Sequence, residues 1–488
     1  MSKKKAGFYI AVGCPGCGGE QTIEENFFVT TCPHCGSVLR LVMPDTPPAY
    51  LMPSSLAKRD IRFSLDRFLK KESLPLTDSD IVIKRLYYPF WKVDGLLLKV
   101  RNRVDTRQIM AQTEYTSEVV IERERTEVGV TPYSTSVAAG TEMSGIPSSL
   151  GMRTDHIKLV PYSNANIDSG FDALPVLRSW TDVQQLISKR IDTLRLIDPA
   201  AFGSNMTRLF HPVFSLVYSP YFVVESYEQG YRRFLLDGIT ARLLEYRTPD
   251  GVFDVASDTA GSLPDPYVNQ DRSPETGGND DAPEIEFGAI EVEFHRCTTC
   301  GIDLPDEKSY LYVCRNCHEI KTLEKTPFPV SGLTVAKSSG RETDRLFPFW
   351  AFQVNATDAA RLRPLFGGIH ASDRLVIPAF RMQNFEAMYR LTTRVSAAFP
   401  QLDLESVEQL DSRFDPVTVP MDEAMALGEV TVVRKQIDRS AGSRVMTDRS
   451  IGVQPVRVEL FYAPFHPESY FFVDSMFGGI TFEKSLVS

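Results

Sequence analysis

CPGCG (residues 14–18) and CPHCG (residues 32–36) decide how this chain is read. Each is a tight loop that offers two thiolates to one ion, and 14 residues between the pairs leave room for a short hairpin. That is the sequence form of a tetrahedral four-cysteine zinc ribbon, with Cys14, Cys17, Cys32 and Cys35 as ligands. The pattern returns at Cys297, Cys300, Cys314 and Cys317 with 13 residues between pairs, and the two sets use all eight cysteines. Two structural zinc ions per chain are expected. Four protein ligands leave no coordination position for a reacting water, so the ions should stabilise folding rather than catalyse. A ribbon is too small to build much core, and zinc supplies about 10–16 kcal/mol in comparable peptides.

Gly18, Gly36 and Gly301 each follow the second cysteine of a knuckle, where a left-handed backbone is commonly required. His318 stands in the fourth such place, and histidine tolerates that conformation better than a β-branched residue does. His34 and His295 also lie near ligands, but four thiolates in each set already complete a site. His156, His211, His370 and His466 are scattered, with no second group at triad-like spacing.

At 488 residues the chain has room for two or more cores. Its 43% hydrophobic and 24% charged residues are those of an ordinary soluble protein. No apolar run reaches the roughly 18 residues of a membrane-spanning helix. The first residues enter a knuckle without the apolar stretch of a signal peptide. Thiolates used as metal ligands suit a reducing compartment, so a cytoplasmic location is expected. The net charge of −10 has a local source: residues 254–293 hold eleven acids against Arg272 alone. The remainder is near neutral. Apart from Lys3–Lys5 and short pairs such as Lys70-Lys71 and Arg232-Arg233, it lacks the clustered basic surface that phosphate binding requires.

Outward from the first ribbon, residues 55–72 place Ile61, Leu65, Phe68 and Leu69 on one helical face. Aliphatic and aromatic residues at 81–104 read as two strands with a break at Tyr88-Pro89, and 113–128 alternates as a further strand. Residues 131–153, rich in Ser, Thr, Gly and Ala, read as loop. A helix follows at 179–196, with Val183, Leu186, Ile187, Ile191 and Leu194 in phase. Two strands then flank Glu228-Gln229-Gly230, and a second turn falls at Asp237-Gly238. In the second half another helix carries Phe385, Met388, Tyr389 and Val395.

The halves repeat one another's order. LYYPFW (86–91) parallels LFPFW (346–350), DHIKLVPY (155–162) parallels DRLVIPAF (373–380), and Gly238-Ile239-Thr240 parallels Gly479-Ile480-Thr481. The expected architecture is α+β: a tandem duplication, each half a four-cysteine ribbon plus a mainly antiparallel sheet with packed helices. The boundaries read as ribbon one at 1–45, first α+β domain at 46–253, acidic flexible linker at 254–290, ribbon two at 291–325 and second α+β domain at 326–488.

Phe90, Trp91, Tyr221, Phe349, Trp350 and Phe465 gather around prolines. They read as core, the other reading being stacking platforms for nucleic-acid bases. Walker A, HExxH, GxSxG and GxGxxG motifs are all missing. The order CPxCG…CPxCG, an amphipathic helix, then YxPFW resembles a group of uncharacterised bacterial zinc-ribbon proteins, some loosely labelled after primosomal protein N-prime, a replication-restart helicase. The resemblance is best over residues 14–94. It implies the ribbon cysteines as ligands; the helicase activity of that label does not carry over, since the nucleotide-binding motifs are missing here. The expected function is non-enzymatic: a scaffold or adaptor that binds protein partners. A nucleic-acid-associated factor is the second reading, and an enzyme with a site between the halves the third. Neither the partner nor the oligomeric state is written in the sequence.

Overall fold

The computed structural model describes residues 9–24, 29–42, 46–72, 81–110, 118–150, 158–163, 166–167, 170–196, 206–227, 231–248, 251–254, 290–323, 328–337, 343–366, 373–399, 402–440, 455–474, 476–477 and 479–487. The stretch read as an acidic linker lies outside them, apart from Asp254 and Ile290. The architecture is mixed α+β and mostly sheet, with one four-cysteine cluster in each half. Among the described residues no helix is long and apolar enough to cross a membrane.

In the first half the central pair is Ile81–Met110 running antiparallel to Met206–Ser226, with Trp91 opposite Leu216 and Pro89 opposite Tyr218. The break expected at Tyr88-Pro89 does not occur, and the strand continues through the proline. Glu118–Ala138 pairs on the other side of Ile81–Met110, so part of the stretch read as loop is strand. On the far side of Met206–Ser226, Ala49–Leu51 adds in parallel and Arg232–Asp237 antiparallel.

The second half is built on Arg345–Val354 antiparallel to Pro455–Pro467, with Trp350 opposite Leu460 and Pro348 opposite Tyr462. Val330–Ala336 adds to Pro455–Pro467 in parallel, Phe471–Asp474 antiparallel, and Arg374–Pro378 lies on the other side of Arg345–Val354. The strand order around the two central pairs is therefore the same.

One set of hydrogen bonds explains why the prolines can sit inside these strands. Proline has no N–H, so the carbonyl that would have received it is left over. Ala139 N donates to Pro89 O at 3.0 Å, and the Ala139 carbonyl accepts instead from Leu177 N at 2.8 Å and Arg178 N at 3.2 Å. The next step closes the arrangement, because the Arg178 carbonyl accepts from Trp91 Nε1 at 2.7 Å. In the second half Ala379 N donates to Pro348 O at 2.9 Å, and Ala379 O accepts from Thr418 N at 2.8 Å and Val419 N at 3.0 Å. Trp350 Nε1 then donates to Val419 O at 2.9 Å. Proline and tryptophan together clamp the segment that enters the next helix.

Five α-helices are described: α1 (Lys58–Lys71), α2 (Trp180–Leu196), α3 (Ala356–Phe366), α4 (Phe385–Ala398) and α5 (Met421–Ser440). The clamps deliver α2 and α5. Val183, Ile187 and Ile191 of α2 pack with Trp91, Val93 and Leu216, while Ala424 and Val432 of α5 pack with Trp350, Phe352 and Leu460. Ile61, Leu65 and Leu69 of α1 are buried as the periodicity predicts. So are Met388, Tyr389 and Val395 of α4, whose N-cap Asn384 accepts from Glu386 N.

Two of the quoted word matches do not describe equivalent places. Asp237 lies opposite Tyr221, and Asp474 lies opposite Phe465. Gly238 follows the first aspartate directly, whereas Gly479 comes five residues after the second. Likewise Arg374–Pro378 holds the place of the end of Glu118–Ala138, with Ile377 and Val137 each opposite a tryptophan. It does not hold the place of Lys158–Pro161, which pairs with Ala49–Leu51.

The halves are in contact. Val430, Val433 and Ile437 of α5 cluster with Leu98 and Phe210 of the first half, and Arg434 Nη1 donates to Val128 O at 3.2 Å. Replacing Trp91 or Trp350 by phenylalanine keeps most of the ring and removes the donor of each clamp. Each change should cost about 1–3 kcal/mol, as expected when a buried acceptor loses its partner. Denaturant midpoints of the two variants measure this. A loss no larger than that of a surface substitution would show that the indole N–H does not hold the helix entry.

Candidate metal centres

All four knuckles close in the same way. The amide of the first cysteine donates to the carbonyl five residues on: Cys14 N to Gly19 O at 2.9 Å, Cys32 N to Ser37 O at 2.8 Å, Cys297 N to Ile302 O at 2.8 Å and Cys314 N to Glu319 O at 3.0 Å. The residue after the second cysteine returns a bond to the first cysteine's carbonyl, in the left-handed conformation expected there. Its φ is 73° at Gly18, 74° at Gly36, 75° at Gly301 and 58° at His318. The His318 ring is placed by its neighbour, with Nδ1 3.3 Å from Glu408 O.

The sulfurs converge as the spacing predicts. Cys14 Sγ lies 3.7 Å from Cys35 Sγ, Cys17 Sγ 3.7 Å from Cys32 Sγ, Cys297 Sγ 3.6 Å from Cys317 Sγ, and Cys300 Sγ 3.5 Å from Cys314 Sγ. A disulfide would require about 2.05 Å. A tetrahedron with metal–sulfur bonds of about 2.3 Å has edges of about 3.8 Å, so both clusters fit a metal ion and neither is a crosslink. Cys14, Cys32, Cys297 and Cys314 are buried, while their knuckle partners lie nearer the surface.

Charge in these clusters is unevenly shared. The hydroxyl and amide of Ser37 hold Cys35 down to about 6, and the amides of Cys300 and Thr299 do the same for Cys297. Cys17 is pushed up to about 12: the amide of Gly19 pulls downward, and lost solvation with the sulfurs of Cys32, Cys35 and Cys14 outweighs it. A divalent cation removes this conflict, since it stabilises every thiolate it touches. No histidine joins either cluster among the described residues.

The sequence put the ribbons on opposite sides of a linker, and in space they are neighbours. Val38–Val42 of the first pairs antiparallel with Glu291–Phe294, the strand that leads into the second. Phe294 packs on Cys14, Cys32 and Leu39, while Val29 packs on Cys297, Tyr312 and Cys314. Thr31 Oγ1 donates to Asp306 across the junction at 3.1 Å, and Arg40 pairs with Glu293 at 2.8 Å. His295, fully buried between the ribbons, rests its ring 4.5 Å from that of Tyr312. Burial, helped by Arg40, lowers its pKa to about 4, so it packs as a neutral ring. The sequence assigned it no role, and its only signal was its place two residues before Cys297.

Each ribbon is also continuous with its own half. Tyr9–Gly13 pairs in parallel with Lys158–Pro161, and Tyr310 N donates to Val417 O at 2.8 Å. Phe90, Trp91, Tyr221, Phe349, Trp350 and Phe465 are each 2% exposed or less, so they are core and offer no face to a base. His466 Nδ1 lies 3.0 Å from Asp344 Oδ1, a partner too remote in sequence to be seen there. His156 and His370 lie outside the described residues. Compared with protein-family models, with curated proteins and with solved structures, the chain matches none of them.

The two centres share one packed junction. Replacing Cys32 by serine should lower the metal affinity of the Cys297 set as well as abolish its own, by about tenfold for each 1.4 kcal/mol of lost packing. Chelator competition on the variant measures this. An unchanged second site would show that the junction transmits nothing.

Proposed function

We propose that the chain is a zinc-loaded, non-enzymatic scaffold whose two halves descend from one duplicated unit. It works in the reducing cytoplasm as an adaptor for protein partners. The observation that carries the reading is the position of the metal centres. Both are closed sets of four thiolates, and they lie where the ribbons bind each other and the two sheets, so the metal holds surfaces in register instead of meeting a substrate. The recurring proline–tryptophan clamp supports the duplication, because an accidental match of short aromatic words would not carry the same four hydrogen bonds. Zinc suits a site of four sulfurs and supplies no chemistry beyond holding them.

Metal analysis of protein purified without added zinc should return close to two zinc equivalents per chain. One equivalent, or iron instead, would overturn the metal assignment. Capture with zinc-loaded protein should retain specific protein partners after nuclease treatment and lose them on chelation. Partners that vanish with nuclease and weaken steeply with salt would point to nucleic acid instead.

A further inference from the structure

Helix α1 buries Ile61, Leu65 and Leu69 and turns a different set of residues to solvent. Phe63 is 71% exposed, and Lys58, Arg59, Arg67, Lys70 and Lys71 are exposed on the same helix. Residues three and four apart share a helix face, so Arg59, Phe63, Arg67 and Lys70 form one stripe with the ring between cations. The acids of α1 do not neutralise it. Asp60 accepts from Ala57 N at 2.8 Å and lies 3.7 Å from Arg59, while Asp66 pairs with Arg62 at 3.4 Å. Only Glu72, at the helix end, is an exposed acid there. Lys70 and Lys71 suit the negative end of the helix. That reason does not extend to Arg67, which has both lysines one turn away as like charges, or to the exposed ring.

The stripe belongs to a wider surface. Val183, Ile187 and Ile191 of α2 share one core with Ile61, Leu65 and Leu69, so the two helices form a layer on one face of the sheet. On the outer side of α2, Trp180 is 42% exposed and Lys189 is exposed, while Asp182 is engaged by Ser179 Oγ at 2.7 Å. The layer therefore presents two aromatic rings among cations. Charge complementarity asks for an anionic occupant. Single-stranded nucleic acid is tracked by a basic groove with successive stacking rings, whereas this is the outside of a helix layer. An anionic bilayer matches it: basic side chains meet the headgroup phosphates, and aromatic rings settle at the boundary with the acyl chains.

We propose that the outer face of α1 and α2 rests on an anionic phospholipid bilayer, with Phe63 and Trp180 entering the headgroup region and the α1 cations facing lipid phosphates. The proposal does not depend on the scaffold reading. Co-sedimentation of the zinc-loaded full chain with vesicles tests it. Mixed phosphatidylcholine and phosphatidylglycerol vesicles should carry the protein down, phosphatidylcholine alone should not, and added salt should release it. Phe63→Ala should lower partitioning about tenfold, as for an aromatic ring returned to water. Arg67→Gln should lower it about fivefold, one cation's share near an anionic surface. Both positions are exposed, so the denaturant midpoints of the two variants should match the parent. Tyr470→Ala removes a ring that is 78% exposed in the second half and should leave partitioning unchanged. Equal binding to neutral vesicles, no binding to anionic ones, full partitioning of either α1 variant, or an equal loss in Tyr470→Ala would each overturn the proposal. So would duplex DNA that displaces the protein from vesicles and binds Phe63→Ala undiminished, which would assign the surface to nucleic acid.

Discussion

Everything in the two sheets depends on a hydrogen bond that cannot be made. A proline in the middle of a long strand withholds one ladder donor, and the facing alanine carbonyl must find another. At Ala139 and at Ala379 it finds the chain that precedes a helix, and the indole N–H two residues beyond the proline secures the next carbonyl. A residue that should weaken a strand thus fixes where α2 and α5 begin. The helices in turn cover Trp91 and Trp350, which bury the polar tip of each ring against a partner it needs.

The metal centres work at a second level. Each ribbon has little interior of its own, and the sulfurs form part of what interior exists, as the packing of Leu39 with Cys14 and Cys32 shows. What the thiolates fix is the direction of the strands that enter and leave the knuckles. Val38–Val42 can meet Glu291–Phe294 in register only when both loops hold their shape. A metal held by either cluster would therefore act on the joint between halves, although every ligand belongs to one ribbon or the other.

Features set by local chemistry were legible in the sequence. Cysteine spacing marked both clusters, the glycine after the second cysteine marked the left-handed turn of three knuckles, and single-faced apolar periodicity marked α1, α2 and α4. Features set by distant contacts were not. Helix α5 went unread because it is apolar on more than one side: Ala424 and Val432 face its own sheet, while Val430 and Val433 face the other half. Its run Val430-Thr431-Val432-Val433 argues locally for a strand, and burial overrides that preference. Helix α3 is short and has a proline, Pro364, inside it. At Pro89 the sequence predicts a break, because the carbonyl that answers the missing donor is set by distant contacts. The pairing of the ribbons, residues 38–42 with 291–294, has no local signature at all.

Helix α5 also sets an order of events during synthesis. The apolar patch of Leu98 and Phe210 is complete in the first half long before Val430, Val433 and Ile437 exist to cover it. Those residues follow more than two hundred positions after Phe210. At roughly 5–20 residues per second, a nascent chain carries that patch for on the order of tens of seconds. Strand Val38–Val42 waits in the same way for Glu291–Phe294. The first half therefore emerges with two unfinished surfaces, one greasy and one an open sheet edge, and only the last quarter of the chain completes the first of them.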